Sequence, residues 1–211
     1  LYTRPVMDSA VSAVLREFEM RAAKESKQME QMDFAAMGRH IDEFLLPVGP
    51  ATGSLMNLLV KEAQAKIILE VGSSYGYSTV WLAEAARETK GRVISLEHLP
   101  EKQKHARESI EKAGLDGFVD FRLGDARDSL TKMTERVDFV LLDLWKDLYI
   151  TCFDLFYPKL QPGALVVADN MIHPDLVRKH AEAYRKHIRT KPNIESVLLP
   201  VGSGIELSRF N

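Results

Sequence analysis

Four residues of this sequence have the types and the spacing for chemistry: Asp143, Lys146, Asp169 and Asn170. Asp143 follows one apolar run, and Asp169 and Asn170 follow another. If both runs are parallel strands of one sheet, their carboxyl ends meet at one edge, and three oxygen ligands and an amine converge there. Two carboxylates and an amide oxygen are the hard ligands that Mg²⁺, Ca²⁺ or Mn²⁺ prefers. The pattern predicts a divalent-cation site with a base beside it.

Each of these residues also has a purely structural interpretation. Asp143 can cap the helix that follows it, and Asp169 with Asn170 can form a turn. Lys146 can be a solvated lysine like most others. Their joint occurrence at the ends of neighbouring strands favours a site, because open α/β sheets bind ligands at that edge.

A glycine loop joins the first expected strand to its helix. Gly72 and Gly76 allow a tight turn and the close approach of a ligand, in a G-x-x-x-G spacing and not the G-x-G-x-x-G of dinucleotide binding. Glu97 ends the second strand, where a carboxylate can accept both hydroxyls of a ribose. Glu70 can steady the loop or face a cationic ligand. Asp125 can accept a hydrogen bond from the exocyclic amine of adenine, or it can cap a helix. The glycine loop together with Glu97 predicts nucleoside binding.

The hydrophobic pattern predicts strands that alternate with helices. Strands are expected at 67–71, 92–96, 119–123, 139–142, 164–168, 194–200 and 204–208. Helices are expected at 5–26, 32–44, 54–65, 78–88, 101–113, 128–133, 148–156 and 175–189, with a loop at 45–53. Short β-branched strands separated by helices are typical of a parallel α/β sheet covered on both faces. The last two strands are expected to form a hairpin.

The length of 211 residues fits a single domain with a sizeable core. Residues 1–47 are expected to form N-terminal helices that cap the core or pair with another subunit, and residues 48–211 to form the α/β core. The long amphipathic N-terminal helix makes a homodimer the expected assembly.

The composition argues against several classes of protein. The net charge of −2 provides no overall attraction to nucleic acid or to an anionic membrane. Cys152 is the one cysteine, so no intrachain disulfide can form, which fits a cytoplasmic protein. Charged residues throughout the first 25 positions argue against a signal peptide. The apolar runs are too short to span a membrane, and the six histidines form no H-E-x-x-H motif.

Five fragments, taken in order, resemble the S-adenosylmethionine-dependent O-methyltransferases of the catechol and caffeoyl-CoA type, including bacterial members. The fragments are residues 69–78, 95–97, 124–126, 142–147 and 168–170, within a resemblance that runs from about Val48 to the C-terminus. It implies a Rossmann-like, seven-stranded sheet of the class I methyltransferase kind, with an antiparallel last strand. It also implies S-adenosylmethionine and Mg²⁺, or another divalent cation such as Ca²⁺ or Mn²⁺, as cofactors.

The resemblance, with the glycine-loop argument, assigns roles to individual residues. The expected cofactor-binding residues are Val48, Glu70, Gly72, Ser74, Gly76, Ser78, Glu97, Asp125, Ala126, Asp143 and Trp145. Within this set, Gly72 and Ser74 line the methionine end, Ser78 holds its carboxylate, and Glu97 binds the ribose. Val48 matches a backbone position near the cofactor, and Trp145 a residue beside the adenine. The implied metal ligands are Asp143, Asp169 and Asn170, and the implied general base is Lys146.

The acceptor and the branch of the family stay open. The 26-residue step from Asp143 to Asp169 favours the caffeoyl-CoA and bacterial branches, and Trp-Lys-Asp at 145–147 favours the catechol branch. Val197 stands where the catechol enzyme has an acidic residue, and Glu195 lies close by. The expected partner is a small, hydroxylated, catechol-like aromatic acceptor, with no nucleic acid and no membrane.

Other functions remain as alternatives. One is a methyltransferase that uses S-adenosylmethionine on a nitrogen or a macromolecule without metal. An Asn/Asp-Pro-Pro-aromatic loop is typical of enzymes that methylate a base nitrogen, whereas this chain has Asp-Leu-Trp-Lys at 143–146. A dehydrogenase is disfavoured by the missing dinucleotide fingerprint, and a non-catalytic nucleoside-binding module is a further possibility.

Overall fold

The computed structural model describes residues 7–33 and 38–211, and its centre is a seven-stranded sheet. The strands are β1 (Ile67–Val71), β2 (Arg92–Glu97), β3 (Val119–Leu123), β4 (Val137–Leu142), β5 (Leu160–Ala168), β6 (Ile194–Leu199) and β7 (Ile205–Phe210). Their order across the sheet is β3-β2-β1-β4-β5-β7-β6. The first five strands are parallel to one another, and β7 is antiparallel to β5 and β6. The predicted parallel α/β sheet, its terminal hairpin and its antiparallel last strand are confirmed.

Helices cover both faces of the sheet. They are α1 (Ser9–Met29), α2 (Gly49–Glu62), α3 (Tyr77–Thr89), α4 (Pro100–Lys112), α5 (Ala126–Lys132), α6 (Tyr149–Phe156) and α7 (Arg178–Ile188). One buried apolar cluster lies between the sheet and α1–α4, and a second lies between the sheet and α5–α7. Ile68 belongs to the first cluster and Leu69 to the second, because successive strand residues point to opposite faces. The sheet is therefore buried on both sides.

The start of α2 is where the sequence-based prediction was wrong. The prediction assigned 45–53 to a loop and began the helix at Ser54, whereas α2 begins at Gly49. Pro50 lies in the first turn, where a missing N–H costs no intrahelical hydrogen bond. A Cβ on Gly53 would lie 2.5 Å from the indole Nε1 of Trp81. The proline therefore serves the start of the helix, and this glycine serves its close packing on α3.

Other boundaries differ by smaller amounts. β5 begins at Leu160, four residues before the predicted start, and its register with β4 shifts between Val137 and Phe139. The predicted helix at 175–189 begins as the 3-10 turn Asp175–Val177 and becomes α7 at Arg178. Of the predicted helix at 32–44, residues 34–37 lie outside the described residues, 38–40 are helical and Ile41–Glu43 form a 3-10 turn.

The N-terminal helix α1 packs onto the rest of the chain through one face. Asp8 caps it by accepting a hydrogen bond from the Ala10 N–H at 2.8 Å. Val14, Leu15 and Phe18 are buried in the same apolar cluster as α3. These contacts agree with the capping role, and pairing with a second subunit stays a prediction. The predicted bounds 5–26 were wrong at both ends: α1 begins at Ser9, because Asp8 is its cap, and it ends at Met29, while residues 5 and 6 lie outside the described residues.

No helix in the described part of the chain has the length and apolar character that crossing a membrane requires.

The carboxyl ends of the central strands lie side by side at one edge of the sheet. Leu142 of β4 pairs with Val71 of β1 on one side and with Ala168 of β5 on the other. Asp143 and Asp169 follow directly after two of these paired residues. The parallel register therefore brings the two carboxylates to neighbouring positions, as the sequence analysis expects of this edge.

Candidate active site

The glycine loop between β1 and α3 is tightly packed. Gly72 and Gly76 have φ of 96° and 99°, a region that favours glycine. A Cβ on Gly72 would overlap the carbonyl oxygen of Asp143, and one on Gly76 would lie 2.7 Å from the Cβ of Ala106. The expected tight turn is present, and the atoms that exclude a side chain belong to neighbouring segments of this chain.

Glu97 is held at the end of β2 by main-chain donors. Its Oε2 accepts a hydrogen bond from the Ser74 N–H at 2.8 Å, and its Oε1 accepts from the N–H groups of His98 and Leu99 at 2.9 Å each. Ser74 itself has a positive φ of 47°. The His98 Nδ1 also lies 3.2 Å from Oε1, so Oε2, with a single donor, is the oxygen that keeps a position for a ligand hydroxyl.

Glu70 is fully buried beneath the glycine loop. Its carboxylate accepts hydrogen bonds from the hydroxyls of Ser78 at 2.6 Å, Thr79 at 2.7 Å and Ser95 at 2.7 Å. Burial raises the pKa of Glu70 to about 7, the three hydroxyl bonds oppose that rise, and the negative charge of Asp143 adds to it. Of the two interpretations of Glu70, these contacts favour steadying the loop, since Glu70 joins β1, β2 and α3.

Asp125 and Ala126 lie at the start of α5, as expected for residues that follow β3. Asp125 caps the helix by accepting a hydrogen bond from the Arg127 N–H at 2.7 Å, and it also pairs with the Arg127 guanidinium. The hydrogen bonds from that guanidinium lower the pKa of Asp125 to about 2. The helix-cap interpretation of Asp125 is therefore realised, and binding of adenine stays a prediction.

A cleft lies between the segment before α2 and the glycine loop. It is lined by Leu45, Leu46, Pro47, Val48, Gly72, Ser73, Ser74, Tyr75, Tyr77, Ser78 and Asp143. Five predicted cofactor residues line this cleft together: Val48, Gly72, Ser74, Ser78 and Asp143. Trp145, which follows β4, is 48% exposed and so keeps surface free for a ligand.

The segment before α2 is held over this cleft by contacts that the sequence analysis missed. The Tyr75 hydroxyl donates to the carbonyl oxygen of Glu43 at 3.2 Å, and the Arg21 guanidinium lies 3.9 Å from the centre of the Tyr75 ring. The Leu45 N–H donates to the Glu25 carboxylate at 2.7 Å. Only a spatial neighbour identifies these residues, because their types and spacing follow no motif.

Asp143 and Lys146 meet as predicted. The Lys146 Nζ lies 2.9 Å from the Asp143 Oδ1 and also donates to the carbonyl oxygen of Leu144 at 3.0 Å. The side chains of Lys146 and Asp143 are 12% and 16% exposed, so this ion pair is largely shielded from solvent. The structure thus places a primary amine directly beside one proposed metal ligand.

Asp169 is 2% exposed, and its Oδ1 has no hydrogen-bond partner among the described residues. Burial, followed by the negative charge of Asp143, raises the pKa of Asp169 to about 7, whereas Lys146 opposes the rise. A buried carboxylate oxygen without a partner is costly. A divalent cation between Asp169 and Asp143 would remove that cost, so the donor set fits a hard cation.

Asn170 follows in the left-handed conformation, with φ of 58°. The next N–H groups bond to the tip of the β6–β7 hairpin: Met171 to the Gly204 carbonyl at 2.9 Å, and Ile172 to the Ser203 carbonyl at 3.0 Å. A Cβ on Gly204 would overlap the Ile172 side chain. The loop that carries Asp169 and Asn170 is therefore fastened to the hairpin.

In residues 7–33 and 38–211, no three His, Cys, Asp or Glu side chains form a group that could hold a metal. The predicted set is not a group of that kind, because only two of its three ligands are carboxylates and the third is the amide of Asn170.

Tyr149 is a site residue that the sequence analysis missed. It is fully buried, its hydroxyl donates to the Asp169 carbonyl at 3.1 Å, and its ring centre lies 4.8 Å from the Lys146 Nζ. Burial and the charges of Asp143 and Asp169 raise its pKa well above the usual value. Its sequence position, three residues after Lys146, was the available signal, because that spacing brings two side chains together on a helical turn.

The hairpin presents a different acid from those the sequence singled out. Glu195 is exposed and Val197 is 49% exposed on β6. Glu206 on β7 is fully buried and is bound by Arg185 at 3.1 Å, Arg189 at 2.7 Å and Ser196 at 2.8 Å. Glu206 therefore fastens α7 to the hairpin, with its carboxylate already engaged by these partners.

Known proteins resemble this chain along most of its length. A family model described as O-methyltransferase matches residues 19–210. A catechol O-methyltransferase from Niastella koreensis is 38% identical over 131 residues, which cover 60% of this chain and 59% of that enzyme. The chain thus spans less than two thirds of that relative. A caffeoyl-CoA O-methyltransferase from Petroselinum crispum is 31% identical over 186 residues, 78% of this chain and 77% of that enzyme.

A solved structure has the same fold. The O-methyltransferase from Bacillus cereus, in complex with SAH, superposes with a TM-score of 0.76 and 26% identity, covering 98% of this chain and 92% of that one.

Proposed function

This chain belongs to the O-methyltransferase family, and from that premise we propose that it transfers a methyl group from S-adenosylmethionine to a hydroxyl of a small acceptor. The proposed acceptor is aromatic and catechol-like, and a divalent cation, Mg²⁺ or another such as Ca²⁺ or Mn²⁺, assists the transfer. Family membership supports the methyl transfer to oxygen. The acceptor class and the metal are inferred from the site.

The metal-assisted part depends on one observation, the buried Oδ1 of Asp169 that lacks a partner among the described residues. Asp143 follows the neighbouring strand, and Asn170 follows Asp169 directly, so these three residues would hold the cation. Two carboxylates and an amide would leave about three of six octahedral positions for water and acceptor oxygens. A cation bound there would give this buried oxygen the partner that it lacks among the described residues.

The narrow cleft beneath the 45–48 segment, about 20 Å³ in volume, marks the methionine end of the proposed cofactor site. Ser78 lines it in the first turn of α3, and because its hydroxyl already donates to Glu70 at 2.6 Å, its main-chain N–H is the donor proposed to hold the carboxylate of the methionine part. Glu97 keeps one acceptor position for a ribose hydroxyl. Gly72, Ser74 and Gly76 form the turn between them, and Val48 closes the opposite side. Asp125, Ala126 and Trp145 are proposed to lie around the adenine.

The proposed reaction is a direct displacement. When bound, the sulfonium donor supplies an electrophilic methyl group, and the cation stabilises the anionic form of the acceptor oxygen. A phenolic hydroxyl has a pKa of about 10 and is mostly protonated at neutral pH. Lys146, as the free amine, accepts that proton, and Asp143 at 2.9 Å stabilises the ammonium that results. The acceptor oxygen forms a bond to the methyl carbon while the bond between that carbon and sulfur breaks. The electron pair of the broken carbon–sulfur bond stays on sulfur.

The test is methyl transfer from labelled S-adenosylmethionine to a panel of hydroxylated aromatic compounds. We expect transfer with Mg²⁺, loss after EDTA, and recovery when excess Mg²⁺ is added back. Undiminished transfer in EDTA would contradict the metal-assisted part. Labelling of RNA or protein in place of every small hydroxylated compound would favour the alternative, a metal-independent enzyme acting on nitrogen or on a macromolecule.

A homodimer and a cytoplasmic location are carried forward as proposals from the sequence. Sedimentation of the purified protein tests the first, and fractionation of the source cells tests the second.

A further inference from the structure

We propose that Tyr149 is a positioning residue that fixes both the general base and the metal-binding loop, an inference that rests on the proposed function. Tyr149 begins α6 and is fully buried, so its contacts are with protein groups. Its ring lies beside Lys146, and its hydroxyl bonds to the main chain of Asp169. One side chain thus touches the two segments that must come together for the reaction.

The ring contact restrains the ammonium group. The Lys146 Nζ lies 4.8 Å from the centre of the Tyr149 ring, within the distance of a cation–π interaction. The same Nζ donates to Asp143 at 2.9 Å and to the Leu144 carbonyl at 3.0 Å. Three N–H donors are available to an ammonium, so two hydrogen bonds and the ring surround Nζ. A lysine side chain has much rotamer freedom. The ring restricts the rotamers that the two hydrogen bonds still allow.

The hydroxyl contact restrains a peptide group. The Tyr149 hydroxyl donates to the carbonyl oxygen of Asp169 at 3.1 Å, while the N–H of Asp169 donates to Leu142 on β4 at 3.2 Å. That carbonyl belongs to the peptide joining Asp169 to Asn170, and Asn170 has a positive φ of 58°. Fixing this peptide fixes the direction in which both proposed ligands leave the main chain.

Tyr184 supplies a matched comparison. It is also fully buried, and its ring packs edge-on against that of Tyr149, with centres 5.4 Å apart and an angle of 80°. Its hydroxyl has no hydrogen-bond partner within the described residues. Removing that hydroxyl changes the same aromatic pair without touching Lys146 or Asp169.

The experiment compares the variants Tyr149→Phe, Tyr149→Leu and Tyr184→Phe in the full chain. Mg²⁺ affinity is measured by calorimetry without acceptor, S-adenosylmethionine affinity by the same method, and kcat at saturating Mg²⁺. Tyr149→Phe keeps the ring and loses the hydroxyl. We expect it to weaken Mg²⁺ binding by about 3- to 10-fold, the worth of one hydrogen bond, with kcat nearly unchanged. Tyr149→Leu should in addition lower kcat by about tenfold, because the ring is lost.

Tyr184→Phe should change neither quantity, and S-adenosylmethionine affinity should stay constant throughout. The inference is overturned if Tyr149→Phe binds Mg²⁺ as tightly as Tyr184→Phe does, a comparison that decides the matter even if Tyr149→Leu does not fold. A folded Tyr149→Leu with unchanged kcat would overturn the part concerning Lys146. A wild-type protein that binds no Mg²⁺ would instead overturn the proposed metal site, and the inference with it.

Discussion

Gly72 packs against the main chain of Asp143 so closely that a Cβ at Gly72 would overlap the Asp143 carbonyl oxygen. The glycine loop of the proposed cofactor site and the first proposed metal ligand are therefore in direct contact. Gly72 also has a φ of 96°, which other residues adopt only with strain. A change at this glycine should affect both parts of the site.

Gly72→Ala is expected to destabilise the fold by roughly 2–4 kcal/mol, the combined cost of a strained φ and an overpacked contact. S-adenosylmethionine and Mg²⁺ should both bind more weakly, because the Asp143 segment must move. Thermal unfolding and calorimetry measure these effects. Gly117→Ala is the control, since a Cβ there has no neighbour within 4 Å. Equal stability of the two variants would contradict the prediction.

Glu70→Gln is expected to change the pH dependence of stability. The pKa of Glu70 is raised by burial to about 7 in the folded protein, above its usual value of 4.5. The folded state therefore binds the proton on Glu70 more tightly than the unfolded state does. The stabilisation that this proton gives to the fold is fully present below about pH 4.5 and is lost as pH rises through about 7. Glutamine does not titrate.

Relative to the wild type, Glu70→Gln should thus gain stability between pH 4.5 and 8. Chemical denaturation across this range measures the difference, and Glu101→Gln at the exposed start of α4 is the control. A constant difference across the range would show that burial does not raise the pKa of Glu70.

Lys146→Met is expected to reduce kcat by about 10²- to 10⁴-fold, the usual contribution of a general base. The methionine keeps an unbranched chain of similar length beside Tyr149, so folding should be retained. S-adenosylmethionine affinity should change little, since Lys146 is not among the residues that line the proposed cofactor cleft. The exposed Lys104→Met on α4 is the control. Retention of more than half of kcat would exclude Lys146 as the base.

Asp169→Asn is expected to separate stability from metal binding. The pKa of Asp169 is raised to about 7, so at pH 8 the metal-free wild type holds a buried charge at a cost in stability. The amide carries no charge, and the metal-free variant should unfold at a higher temperature than the wild type at that pH.

Addition of Mg²⁺ should stabilise the wild type and have much less effect on Asp169→Asn. Thermal melts with and without Mg²⁺ measure both quantities, with Asp116→Asn as an exposed control. A variant that is less stable than the wild type without metal, or equally stabilised by Mg²⁺, would contradict this assignment.

The strands were the part of the fold most accessible from the sequence. β1 and β3 have the predicted bounds, because short β-branched runs between helical patterns have few alternatives. The start of α2 was missed because Gly49, Pro50 and Gly53 are typical of loops, and only the close packing against Trp81 explains one of these glycines. A single sequence does not contain that neighbour.

The candidate site divides in the same way. The sequence was enough to predict that Asp143, Lys146 and Asp169 lie near one another, because the ends of parallel strands converge. The register of β4 with β5 confirms that convergence. Tyr149 was not, because a buried aromatic residue at a helix start is most simply a core residue. Its role depends on which atoms its hydroxyl and ring meet, and the hydroxyl meets a main-chain oxygen 20 residues further along the chain.

β6 lies at the edge of the sheet, and within the described part of the chain its one strand neighbour is β7, which comes later in the sequence. During synthesis β6 cannot enter the sheet before β7 has left the ribosome. The loop after Asn170 forms hydrogen bonds with the tip of the β6–β7 hairpin. These hydrogen bonds can form only after both strands have been synthesised. The nascent chain can therefore assemble the proposed nucleoside-binding part of the site before the proposed metal-binding part.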